Sequence, residues 1–418
     1  MHFAIIGNGV AGATAAFAIR EREPDASITL IGGETDYFFS RTALMYGFMD
    51  RLSIRDMEPF ERRVYDRKKI RRVRDIVTDL DANARTIVLK SVGSVSYDRL
   101  LIATGSVPGN APWTGLDAVR SGVVNFVSAQ DLEQCERYAA SARNAVVIGG
   151  GLIGIELVEC LRHHGIAVTF LIREPWYWPV ALDGDEAKMI ATHMRRHGVD
   201  VRLNETVAEI RADATGRVSA VVTESGQELS CELLGITIGV KPAINWLRSV
   251  TTPPILQRGV QVNQSFETSL ESVWAAGDCA EIVLPGRPAL VEQIWYSARR
   301  QGELAAHAML GDAVQYEPPI FYNSAKFFDI EYTTVGAVMQ APADATSFFR
   351  RLTGHDISVR IVEHHGAVIG FNMLGSRWDH TILERWIQER RPMDYVRSRL
   401  AEAQFDGEFG RAPIKAVG

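Results

Sequence analysis

The chain has 418 residues, 46% hydrophobic and 23% charged, enough to build two or three globular domains with substantial cores. A net charge of −6 leaves no electrostatic footprint for nucleic acid. No apolar run approaches the roughly 18–20 residues that span a bilayer, so a membrane span is not expected.

In chain order, the strand-like His2-Phe3-Ala4-Ile5-Ile6 runs directly into Gly7-Asn8-Gly9-Val10-Ala11-Gly12. That start leaves no room for a signal peptide, and a cytoplasmic location is expected. A helix is predicted from Ala13 to Arg20 and a second strand from Ser27 to Ile31. In this strand–turn–helix–strand context each glycine has a physical use. Gly7 allows a tight turn, Gly9 lets backbone approach a pyrophosphate, and Gly12 lets helix pack on strand. Val10 and Ala11 join the glycines as cofactor-binding candidates, and the free N–H groups and positive dipole end of the helix suit phosphates. Glu34 lies 22 residues beyond Gly12, about where a carboxylate accepts from ribose hydroxyls.

The unit recurs at an offset of 142 as Gly149-Gly150-Gly151-Leu152-Ile153-Gly154, again after an apolar strand. A helix is predicted from Ile155 to about His163 and a strand from Val168 to Ile172. That strand ends in Arg173-Glu174. A carboxylate there favours the ribose 2′-hydroxyl of NADH, whereas an arginine accommodates the 2′-phosphate of NADPH. The reading leans slightly to NADPH. Trp176-Tyr177-Trp178-Pro179 follows, suited either to stacking on the nucleotide or to ordinary burial.

The expected fold is α/β: two Rossmann-like dinucleotide-binding domains, the second inserted in the first, plus a small C-terminal α+β domain. Residues 1–115 and 244–325 form the first domain and 116–243 the second, with turn-prone Pro108, Pro112, Lys241-Pro242 and Pro253-Pro254 near the crossings. Residues 326–418 form the third, with strand-like 359–362 and 367–369 and a helix near Thr381 to Gln388. The run Arg62, Arg63, Arg67, Lys68, Lys69, Arg71, Arg72, Arg74 reads as a solvated face or as a patch steering an acidic redox partner. The four cysteines, Cys135, Cys160, Cys231 and Cys279, are far apart in sequence and form no C-x-x-C, so no metal cluster or adjacent redox pair is expected.

Beyond the glycine motifs stand Tyr37-Phe38-Phe39-Ser40-Arg41-Thr42-Ala43-Leu44, Tyr97 to Ser106, Glu156, Gly239-Val240-Lys241-Pro242 and Val273-Trp274-Ala275-Ala276-Gly277-Asp278. With them, residues 1 to about 310 resemble the FAD/NAD(P) pyridine nucleotide oxidoreductases, most of all the ferredoxin/rubredoxin reductase branch and the flavoprotein part of assimilatory nitrite reductase. The resemblance implies that FAD occupies the first domain and NAD(P)H the second. It implies that Asp278, after Gly277, hydrogen-bonds the FAD ribityl chain, and that Arg41 reaches the FAD phosphates or adenosine. Thr104 and Gly105 form the turn leaving the FAD domain. Val77, Ala103, Gly239 and Trp295 complete the expected cofactor set. Glu156 falls near nicotinamide and flavin, although a carboxylate there also suits the helix dipole. Trp295 and Tyr296 open the helix after Asp278, either at the flavin or in ordinary burial.

Thr42 is the departure that carries information. Disulfide-type relatives resemble this stretch with a cysteine in that place, so the thiolate relay is missing here. Cys279, beside Asp278, reads as a bystander. The implied function is hydride transfer from NAD(P)H to FAD, then onward to an acceptor, with an iron–sulfur protein the first choice. The alternatives are an NAD(P)H oxidase or diaphorase using oxygen or quinone, and a redox-sensing flavoprotein like apoptosis-inducing factor. A homodimer through residues 326–418 is also expected.

Overall fold

The computed structural model describes residues 1–109, 111–352 and 355–405. The chain folds into two compact units. One comprises Met1–Asn110, Asn125–Glu136 and Gly239–Glu317; the other comprises Ala111–Val124, Arg137–Ile238 and Pro318–Gly418. Asn125–Glu136, which spacing alone places in the inserted domain, groups with the first unit. The C-terminal region groups with the inserted segment.

The first unit is built on a parallel sheet ordered Val273–Ala275, Arg99–Ile102, His2–Ile6, Ser27–Gly32, Ile70–Arg74. Its central strand is a continuous buried apolar run, as a parallel strand covered on both faces must be. Helix Val10–Arg22 lies on this sheet and against helix Trp295–Met309. Ala11, Ala13, Ala15 and Ala16 keep its buried face low, and the two helices approach to backbone distance: a Cβ at Gly302 would sit 2.2 Å from Ala11 O. Arg20 fixes the far end. Its guanidinium, 8% exposed, donates to the carbonyls of Glu23, Pro24, Ala26, Lys68 and Lys69. The unit also holds a three-stranded antiparallel sheet, Val77–Asp81, Thr86–Leu89 and Gly93–Ser96, and the crossing pair Ser106–Pro108 and Val240–Pro242.

The second unit repeats the plan with the order Val199–Leu203, Ala167–Ile172, Asn144–Ile148, Leu233–Ile236, Val123–Val124. Its C-terminal layer is an antiparallel sheet ordered Tyr322–Phe327, Ile330–Gly336, Ala367–Leu374, Ser358–His364, Thr346–Arg351. Helices His380–Gln388 and Met393–Arg397 accompany this sheet, with Phe371, Leu383 and Trp386 in a shared core. The C-terminal strands are longer than the sequence suggests, and the first begins at Tyr322. Both dinucleotide helices also start earlier than predicted, at Val10 and Leu152, directly after Gly9 and Gly151 as N-caps.

Helix Gly184–Arg196 is tied to the C-terminal sheet near its start. Its Asp183 and Glu186 close a capping box, and both carboxylates accept from Arg360. Asn372 adds a 2.6 Å bond to Ala181 O. No helix among the described residues is long and apolar enough to cross a membrane.

Candidate functional site

In the first unit the strand His2–Ile6 ends at Gly7, with φ of +115°. A Cβ there would lie 1.9 Å from Ala103 O, and one at Gly12 would lie 1.9 Å from Gly7 O. Both positions demand glycine for the protein's own close approach. Gly9 does not. Its φ is −90° and a Cβ would meet nothing within 4 Å. That open space lies at the start of helix Val10–Arg22, where no side chain caps the N–H groups and no acid occupies the first turn. Uncapped donors, a positive dipole end and free volume together fit a pyrophosphate. Asn8 Oδ1, in the same turn, is buried without a partner.

Glu34 and Arg41, expected to meet the dinucleotide separately, are held to each other. The Glu34 carboxylate accepts from both terminal nitrogens of Arg41 and from Ala129 N–H at 2.8 Å. Arg41 also donates to Val127 O at 2.7 Å. The pair stays reachable, since half of the Arg41 side chain is exposed. Thr42 is exposed too, its hydroxyl 2.9 Å from that of Ser40.

Asp278 follows Gly277, whose φ of +79° turns the loop onto the helix start, a Cβ there lying 3.0 Å from Ala11 Cβ. Gly277 N–H donates to Gln301 at 2.9 Å, and the Asp278 carboxylate accepts from the Ser106 hydroxyl at 2.8 Å. Burial pushes the Asp278 carboxyl up, against the opposing pull of the Ser106 bond and the Arg41 charge. Gly7, Gly9, Ala11, Ala103, Gly277 and Asp278 thus converge on one helix end. Thr104 and Gly105 both bond Ala243, and Gly239 accepts from Gly109 N–H at 2.9 Å, fixing the crossing. Val77 is different: its side chain lies in the core. Trp295 opens its helix with an indole N–H buried and unpartnered.

Ser106, Gln301 and Ala129 were not singled out by sequence reasoning. Their partners lie 172, 24 and 95 residues away, and no local pattern announces them. Cys279 lies under the loop with its thiol facing Ile102 O and Ala276 O, and burial pushes that thiol up.

The second unit reproduces the cradle. Gly149 has φ of +115°, with a Cβ 2.4 Å from Thr237 O; a Cβ at Gly154 would lie 2.2 Å from Gly149 O, and one at Gly151 would meet nothing within 4 Å. Helix Leu152–His163 starts uncapped and without an acid in its first turn, so Leu152 and Ile153 head a second anion site. At the end of the neighbouring strand Ile172 is fully buried, and the Arg173 side chain is 79% exposed. Arg173 Nε–H donates to Glu174 at 2.8 Å, so the two readings of nucleotide preference are an ion pair.

Glu156, on the same helix, keeps only a partly exposed edge. Loss of hydration raises its carboxyl from 4.5 to about 7, with the Glu159 charge adding and Lys326 opposing. Glu159 itself accepts from Lys326 at 2.7 Å and from Phe328 N–H at 3.0 Å.

Other candidates take structural roles. Tyr177 and Trp178 pack against Phe327, and Trp178 also against Tyr332; Trp176 donates its indole N–H to Leu182 O. In the basic run, Arg62, Arg63, Lys68, Arg72 and Arg74 each have a carboxylate partner, which offsets part of its positive charge.

Two parallel sheets, each presenting an uncapped helix end behind an open glycine, define a protein of the two-dinucleotide oxidoreductase class. The chain belongs to the pyridine nucleotide-disulphide oxidoreductase family, whose profile matches residues 1–309. It is therefore an FAD-dependent NAD(P)H oxidoreductase, and both cradles fit such cofactors. The chain is 29% identical over 334 residues to rhodocoxin reductase of Rhodococcus erythropolis, covering 78% of this chain and 76% of the relative. It is 26% identical over 399 residues to the ferredoxin–NAD(+) reductase component of the p-cumate 2,3-dioxygenase system of Pseudomonas putida, covering 93% and 94%. An NADH oxidase of Methanocaldococcus jannaschii is 26% identical over 349 residues, covering 80% and 76%. In fold the chain is similar to the reductase in the covalent putidaredoxin reductase–putidaredoxin complex, with a TM-score of 0.84, 20% identity and 94% of each chain covered.

Proposed function

We propose that the protein passes electrons from NAD(P)H through FAD to a small iron–sulfur protein, without a redox-active cysteine. The observation that carries this reading is the state of the thiols. All four cysteines are buried, and Thr42, not a cysteine, follows Arg41. Burial pushes the Cys231 thiol up to about 12 and raises Cys135 and Cys279 as well, which withholds the thiolate that a relay needs. The names of the Rhodococcus and p-cumate relatives support a reductase reading, and the latter names a ferredoxin.

When bound, FAD supplies the redox chemistry, taking a hydride from NAD(P)H and releasing electrons to an acceptor. In this reading the Gly9 cradle binds the FAD pyrophosphate, with the Glu34–Arg41 pair beside it and Asp278 orienting the ribityl chain. The Gly151 cradle binds the nicotinamide nucleotide, and Arg173 reaches a 2′-phosphate with the nitrogens that Glu174 leaves outward. Glu156 holds a proton near neutral pH, so its carboxyl can donate a hydrogen bond there. No acid or base is required for the hydride itself.

The test is anaerobic transfer from the NADPH-reduced protein to an oxidised [2Fe–2S] ferredoxin, compared with oxygen uptake. Ferredoxin reduction is expected to outpace oxygen consumption. The reverse order favours an NADH oxidase, as the Methanocaldococcus relative is named. In the same assay Arg173→Ala is expected to raise KM for NADPH roughly tenfold while sparing NADH.

A further inference from the structure

Helix Gly184–Arg196 carries His193 in its last turn and is capped by His197, four residues on. Opposite them is Asp329, in the turn between strands Tyr322–Phe327 and Ile330–Gly336. His193 Nε2 lies 2.5 Å and His197 Nε2 3.8 Å from Asp329 Oδ1. One ligand atom from each of the three lies within 4.8 Å of the others.

The hydrogen bonds behind the rings decide what faces Asp329. His197 Nδ1 lies 3.0 Å from the His193 carbonyl, which can only accept, so Nδ1 carries the proton and a neutral ring presents an Nε2 lone pair. His193 Nδ1 lies 3.1 Å from Asp356 Oδ2, itself bonded by Arg196 at 2.6 Å. His193 Nε2 faces the Asp329 carboxylate oxygen, and it can ligate a metal ion there when the ring proton sits on Nδ1 against Asp356. Two imidazole nitrogens and a carboxylate oxygen then converge on one point, where a metal ion can take the place of the proton that otherwise links His193 to Asp329.

We propose that His193, His197 and Asp329 bind one divalent transition-metal ion of the zinc type, with Asp356 as the outer partner that sets the His193 tautomer. Two imidazoles and a carboxylate form a borderline-soft ligand set that leaves a fourth position for water. Tetrahedral bonds of about 2.0 Å place ligand atoms roughly 3.3 Å apart, so loading opens the 2.5 Å His193–Asp329 contact and draws in the 3.8 Å His197–Asp329 one, shifts within side-chain reach. A carboxylate hydrogen-bonded to the far nitrogen of a ligating histidine is the usual support of such sites. The site is also held in place. The His197 ring stacks on Phe328 at 4.5 Å, and Phe328 keeps a positive φ of +59° with its N–H donated to Glu159 at 3.0 Å.

The FAD-loaded protein, freed of metal with a chelator, is titrated with Zn2+ in a calorimeter near neutral pH. One equivalent is expected to bind per chain with micromolar affinity or better. His197→Asn and Asp329→Asn are each expected to weaken binding by about a hundredfold, and Asp356→Asn by about tenfold. A control variant carrying D344N and H365N, which breaks the exposed trio Asp344, His364 and His365, should bind as the wild type does. Retained flavin content checks the fold of each variant; should D329N lose it, H197N decides. The proposal is overturned if no stoichiometric heat appears, in which case a shared proton links His193 and Asp329. Affinity unchanged by H197N, or lost in the control variant, overturns it equally.

Discussion

Glycines within one motif have different reasons to be glycine, and the difference is measurable. Gly12 is required by the fold, since its Cβ would fall 1.9 Å from a carbonyl oxygen. Gly9 is not, since its Cβ would enter open space. Gly12→Ala is therefore expected to destabilise the protein by about 3 kcal/mol. Gly9→Ala should leave the denaturation midpoint unchanged and weaken FAD binding roughly tenfold or more. Equal loss of stability in both variants contradicts this division. Glu156 gives a second residue-scale prediction. Its folded-state carboxyl titrates near 7 and its unfolded one near 4.5, so the folded state binds the proton more tightly. The stabilisation is complete below about 4.5 and is lost as pH rises through about 7. Glu156→Gln should raise the urea midpoint at pH 8 relative to wild type, with little change at pH 5. Parallel pH profiles for the two proteins would falsify that assignment.

At the scale of elements, helix Val10–Arg22 depends on Arg20 as much as on its alanines. The five carbonyls that Arg20 satisfies belong to the helix end, the following turn and the segment before strand Ile70–Arg74. Arg20→Met keeps the stem but orphans those groups, and a loss of about 3 kcal/mol or more is expected in chemical denaturation. A change within about 0.5 kcal/mol, typical of exposed positions, contradicts it. Arg20 also shows where sequence reading stops. Gly7, Gly12 and Gly277 were legible because their constraint is local, a dihedral or a missing Cβ. Arg20, Gln301 and Lys326 were not, because their partners are brought in by the fold from distant segments. Two ion pairs of the basic run belong to the same class: Lys68 meets Glu21, 47 residues back, and Arg74 meets Asp36. The aromatic Tyr177-Trp178 was ambiguous for a related reason, since only the C-terminal strands show what it packs against.

For the whole molecule, duplication was the most legible feature, and the structure gives it a physical basis. Both units have the same sheet plan and the same pair of close glycine approaches, Gly7 on Ala103 and Gly149 on Thr237. Less legible was the sharing of chain between units: Asn125–Glu136 joins the first unit because Ala129 and Gln130 bond Glu34, which no composition shift signals. The proposal that the flavin is the sole redox centre sets this chain apart from the disulphide chemistry for which its family is named. Anaerobic titration with NADPH or NADH tests it most directly. One equivalent of reductant per FAD, two electrons, is expected to bleach the flavin fully, with the thiol count unchanged. Uptake of a second equivalent, or the appearance of two new thiols on reduction, contradicts it.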